Sequence, residues 1–138
     1  RYTHDQKYLD MAEKIYNFIF NNPNLPEDLV PYWDFDAPNI PNEPRDVSAA
    51  ACTASALYEL STYIPGKNYK ETADKIMENL ASPAYRAEVG TNGNFILMHS
   101  VGSIPHGAEI DVPLNYADYY FLEGIMRKRD LESNKKLF

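Results

Sequence analysis

"YWDFDAPNIPNEPRDVSAAACTASALYEL", Tyr32 to Leu60, joins two segments of opposite character. The first half is a polar, aromatic loop stiffened by proline. Five prolines fall between Pro26 and Pro44, so no helix persists there. The second half begins at Asp46, a good N-cap, and predicts a helix over Val47 to Thr62 or Tyr63. From Ser48 to Ala56 that helix has almost no side-chain volume. A helix small and apolar on several faces is expected to be buried on most sides, with neighbours pressed close.

Three more helices flank it. Asp5 to Asn21 puts Tyr8, Met11, Ala12, Ile15, Phe18 and Ile19 at helical spacing, with Thr3 or His4 near the N-cap. Tyr69 to Leu80 carries Ala73, Ile76, Met77 and Leu80 as its apolar stripe. The last runs from near Pro113, a residue suited to a first helical turn, to about Leu131. Between them, Ala87 to Asp111 holds the Asn92-Gly93 pair and the apolar run Phe95 to Met98, and predicts a small hairpin or extended loop. The pattern is mainly α: about four helices, a bundle or part of a helical toroid.

Composition narrows the partners. The chain has 138 residues, 44% hydrophobic and 24% charged, a globular balance for one domain. Its net charge of −7 disfavours nucleic acid, because an acidic surface repels phosphate. The terminal "RKRDLESNKK" reads as a solvated helix end. No apolar run reaches the length of a membrane span. Cys52 stands alone, with no disulfide partner, and is expected to be a buried small hydrophobe. The chain begins with Arg1 instead of Met, which gives the expectation of a processed chain or a piece of a longer one.

Two clusters carry candidate chemistry. Trp33 is the single tryptophan and offers a face for a sugar ring. Asp34 and Asp36 accept hydroxyl hydrogen bonds or act as an acid pair, and Arg45 lies nearby in sequence. The structural alternative is a turn capped by Asp34, with Trp33 plugging the loop onto the core. The second cluster is His99, Ser100, Ser103, His106, Glu109 and Asp111. Its spacing matches no compact metal-ligand motif, so no metal is expected. Gly102, Pro105 and Gly107 make it a shaped loop.

"VPYWDFDAP", "RDVSAAACTASALYEL" and "PHGAEIDVPLNYADYYFLEGIMR", in that order, resemble the unsaturated glucuronyl hydrolases, glycoside hydrolase family 88. The resemblance covers nearly the whole chain. It implies an (α/α)6 toroid, of which residues 1–138 form the C-terminal portion. It also implies a bacterial source, a periplasmic or cytoplasmic location and no cofactor. The implied substrates are lyase-generated oligosaccharides ending in a Δ4,5-unsaturated uronic acid, which the family releases by hydrating the C4=C5 bond. The family's two key aspartates and its RGQ-x-W motif have no counterpart here, so no catalytic residue carries over. What carries over is a substrate-binding role: Trp33 and Asp34 at the rim, with Ser103, His106 and Glu109 near the departing sugar. The chain alone is then expected to be inactive, and to need the rest of the same polypeptide or to self-associate. The rival reading is a non-catalytic helical module that binds glycans or a protein.

Overall fold

The computed structural model describes residues 1–137. Each of the first two helices starts where an aspartate caps it. Asp5 accepts the Lys7 backbone N–H and opens α1, Gln6–Phe20. The cap is therefore Asp5, one or two residues after Thr3 and His4. Asp46 accepts the Ser48 N–H and opens α2, Val47–Tyr63. Helix α3 is Tyr69–Leu80, and α4 is Asn115–Glu132. Helix α4 starts two residues beyond Pro113, with Leu114 still extended at its N-cap.

Helix α2 is the hub. It packs extensively against α3 and α4 and only lightly against α1. Val47, Ala50, Ala51, Ala54, Leu57, Tyr58 and Leu60 face this core, with Ala73, Ile76 and Leu80 of α3 and Ala117 and Phe121 of α4. Ser55 of α2 donates to Glu123 of α4, 68 residues on. Glu59 pairs with Arg127 at the same offset (127 − 59). An offset that stays constant along both helices means that α2 and α4 run parallel, with their N-termini side by side.

Two expectations about faces need correction. Cys52 is exposed, as is Ala56, because α2 has one uncovered side. Helix α1 also turns differently from the sequence expectation. Leu9, Ala12, Tyr16 and Phe20 pack on the core, while Tyr8, Met11, Ile15 and Phe18 stand exposed. The apolar residues of α1 cover more than one face, and the more obvious stripe is left largely exposed, although Phe18 meets the Phe35 ring edge-on. Helices α1 and α2 thus flank an apolar trough of about 400 Å³, floored by Cys52, Thr53 and Ala56.

The hairpin lies further along than the Asn92-Gly93 pair suggests. That pair sits in a 3-10 turn, Asn92–Asn94, where the Asn92 amide donates to the carbonyls of Phe95 and Leu97. Phe95 to Met98 is not a strand. Strand β1, Ser100–Ser103, pairs antiparallel with β2, Ala108–Val112. Gly107 closes the turn at φ 64°, where a glycine is at ease. The register slips once: Ser100 faces Val112, but Val101 faces Ile110, leaving Asp111 as an extra residue in a bulge.

Candidate functional site

The parallel pairing of α2 and α4 brings two helix N-termini to one end of the molecule. The hairpin is seated on the first of them. The Val47 N–H donates to the His99 carbonyl at 3.1 Å. Asp46 Oδ1 accepts from the Ser48 hydroxyl at 2.6 Å and from the Val101 N–H at 3.3 Å. Asp46 thereby caps the helix and anchors β1 with the same oxygen.

On the second terminus, Tyr116 occupies the first turn of α4 and is 42% exposed. Burial pushes its phenol up, and the nearby charges of Asp46 and Glu109 add to this, against a hydrogen bond to Ser48. The phenol therefore stays protonated at neutral pH, ready to donate. Glu109 folds back over Gly102, where a Cβ would run into its carboxylate. At the hairpin tip, Ser103 Oγ and His106 Nδ1 lie 2.7 Å apart. Ser103, His106 and Glu109 thus share one arm, whose root touches the Asp46–Ser48–Tyr116 corner.

Trp33 and Asp34 belong to a separate, self-satisfied loop. The Trp33 indole N–H donates to Glu43 at 2.8 Å, and the other Glu43 oxygen takes the Asn39 N–H at 3.0 Å. Asp34 accepts the Asp36 N–H at 2.8 Å, an Asx turn. Arg45 donates to the Val30 carbonyl at 2.7 Å, to Asp28 at 2.6 Å and to the Tyr85 hydroxyl at 3.1 Å. Its guanidinium also lies over the Tyr32 ring. Burial first, then hydrogen bonding to Asp28, pushes the Tyr85 phenol up to about 12. The Asp34 carboxylate thus serves a turn, to which Asp36 contributes its backbone N–H. No hydrogen bond, ion pair or ring contact joins Trp33 or Asp34 to the hairpin arm among the described residues.

The return of the loop, Asn42 to Arg45, meets Tyr85, His99 and Asp111 along an open groove of about 500 Å³. No group of three His, Cys, Asp or Glu residues fit to hold a metal occurs among the described residues. No described helix is long and apolar enough to cross a membrane. Sequence reasoning missed Tyr116 and gave Asp46 only a capping role. Their meeting depends on the α2–α4 offset, which no local pattern reveals.

No protein-family model matches the chain. Curated relatives do. Over 131 residues it is 50% identical to the unsaturated glucuronyl hydrolase of Formosa agariphila, a match spanning 95% of this chain and 33% of that protein. The chain is a homologue of the unsaturated glucuronyl hydrolases. A crystal structure of an unsaturated glucuronyl hydrolase specific for heparin matches with a TM-score of 0.91 at 48% identity, over 95% of this chain and 36% of that one. A variant of the Streptococcus agalactiae enzyme complexed with dGlcA-GalNAc6S matches at a TM-score of 0.71 and 27% identity, over 88% of this chain and 34% of that one. The four helices and hairpin therefore correspond to part of an α/α toroid. The chain spans about a third of the length of the curated relatives it matches.

Proposed function

We propose that residues 1–138 are the C-terminal portion of a glycoside hydrolase domain that releases Δ4,5-unsaturated uronic acid from lyase-generated oligosaccharides by hydrating the C4=C5 bond. The observation that carries this reading is the match of α1 to α4 and the hairpin, nearly end to end, to glucuronyl hydrolases. In this reading the N-terminal ends of α2 and α4 form part of the wall of the sugar cavity. The hairpin arm with Ser103, His106 and Glu109 contacts the sugar that leaves, and the loop with Trp33 and Asp34 shapes the rim. The general acid lies in the part of the polypeptide that this chain does not match. A carboxylic acid that delivers a proton at neutral pH needs a raised pKa, which a cavity with little water supplies.

The exposed faces of α1 and α4 fit the same reading. Met11, Ile15 and Phe18 on one helix and Tyr119, Leu122 and Met126 on the other are apolar and uncovered. Apolar faces of this kind are normally closed by further structure. The remaining two-thirds of the toroid would do so.

The test follows the ultraviolet absorbance of the C4=C5 bond in an unsaturated disaccharide. The chain alone should leave it unchanged. A chimera joining this chain to the unmatched part of the Formosa agariphila relative should remove it. A folded chimera without turnover overturns the reading, and turnover by the isolated chain overturns the assignment of the acid to the missing part.

A further inference from the structure

His99 and Asp111 both hold left-handed backbone conformations, at φ 68° and 54°. Neither is a glycine, so each conformation is strained and needs support from its surroundings. Asp111 is also the extra residue of the β2 bulge. Bulges re-aim a side chain, and this one turns the carboxylate onto His99, with Nδ1 and Oδ1 2.6 Å apart. A carboxylate has no hydrogen to give, so Nδ1 carries the proton. On its other side the His99 ring meets the Tyr85 ring edge-on, 6.4 Å between centroids. Tyr85 is held by Arg45 and Asp28. The His99 carbonyl holds the start of α2 through Val47. One residue therefore ties the hairpin root to α2, to the Arg45 loop and, through Asp111, to the opposite strand.

We propose that His99 and Asp111 act as a positioning pair: their bond fixes the angle at which the hairpin leaves α2, and so sets where Glu109 lies over Gly102. Only the statement that this corner meets sugar rests on the glucuronyl hydrolase reading. The geometry of the arm does not. Neither residue of the pair is assigned a contact with substrate.

Asp111→Gly is the informative change. Glycine relieves the backbone at φ 54°, so a position that mattered only for backbone fit would be left unharmed or improved. If the pair sets the arm, the same change frees it. In the isolated chain, amide exchange of Val101 and Ile110 should quicken about tenfold in Asp111→Gly. Asp111→Asn keeps both an acceptor and a residue tolerant of the left-handed region, and should behave like the parent. The second readout is the ring of Tyr116, followed by NMR through alkaline pH. With Glu109 displaced, its titration should move down towards that of an ordinary tyrosine, and Glu109→Gln should produce a shift of the same sign. The 15N shifts of the imidazole should place the proton on Nδ1 in the parent. Unchanged exchange and an unmoved Tyr116 in Asp111→Gly overturn the proposal, as does a neutral ring with its proton on Nε2 and none on Nδ1. None of these readings uses turnover, so an inactive chimera would sink the glycosidase reading and leave this proposal standing or falling by itself.

Discussion

The Tyr58 hydroxyl donates to the Asp74 carboxylate at 2.7 Å, and this bond joins α2 to α3 inside the core. Tyr58 is fully buried. Asp74 also accepts from Lys70 at 2.7 Å and pairs with Lys128 of α4 at 3.0 Å. Three helices therefore share one carboxylate. Burial by itself would push Asp74 up, but the hydrogen bonds from Lys70, Tyr58 and Lys128 outweigh it and hold the carboxyl below its ordinary range.

That balance gives the first prediction. A carboxylate with a depressed folded-state pKa contributes stability above its unfolded value and loses it as pH falls through the folded value. The melting temperature should be flat near neutrality and should fall once pH drops below about 4. Asp74→Asn should lower the neutral melting temperature and flatten that acid slope. Equal acid slopes in parent and variant, by circular dichroism, would show that other carboxylates carry the effect. Tyr58→Phe should cost about 1.5–3 kcal/mol, the range for a hydrogen bond to a charged group.

Asp118 gives the second. From the first turn of α4 its carboxylate accepts the N–H groups of Ile96 at 2.8 Å and Leu97 at 2.9 Å. Leu97 is fully buried, so these donors have little recourse to water. Asp118→Ala should cost about 3 kcal/mol, with Asp118→Asn costing less. Hydrogen exchange should locate the loosening at Ile96 and Leu97. Protection unchanged at both amides would count against the role.

The third prediction contrasts two alanines on one helix. Ala50 is 1% exposed, whereas Ala56 lies on the open side of α2. Ala50→Leu should overpack the α2 interface and cost about 1–3 kcal/mol. Ala56→Leu should change stability by less than about 0.5 kcal/mol. Urea denaturation of the two variants measures the difference, and equal costs would contradict the arrangement of faces.

The fourth concerns association. With apolar rows open on α1 and α4, the chain at micromolar concentration should self-associate and bind a hydrophobic dye. Sedimentation over a range of concentrations checks it. A compact monomer with no dye response is the contrary result.

The four helices were legible because capping and periodicity are local signals. Asp46 announced α2, and the apolar stripe of Ala73, Ile76, Met77 and Leu80 announced α3. What escaped was long-range. Tyr116 gains its setting from a partner helix 68 residues away, an offset carried by Ser55 and Glu123. The face of α1 was misjudged because its apolar residues mark at least two sides, and periodicity does not say which side has a neighbour. Asn92-Gly93 looked like a hairpin turn, but Asn92 spends its amide on the carbonyls of Phe95 and Leu97 and closes a tighter loop. Trp33 and Asp34 lie on the proline-rich loop that the sequence marks, and spacing does not reveal that Glu43 secures the indole.

The trough floored by Cys52 has a practical consequence. Its single thiol stands where a covering helix would lie, so the chain carries its own chemical reporter. Burial and the charge of Glu123 push the thiol up, so a maleimide should label it measurably at mildly alkaline pH in the isolated chain, and more slowly wherever that face is closed. The rate at one sulfur atom then tells, without any substrate, whether the open side has found its complement.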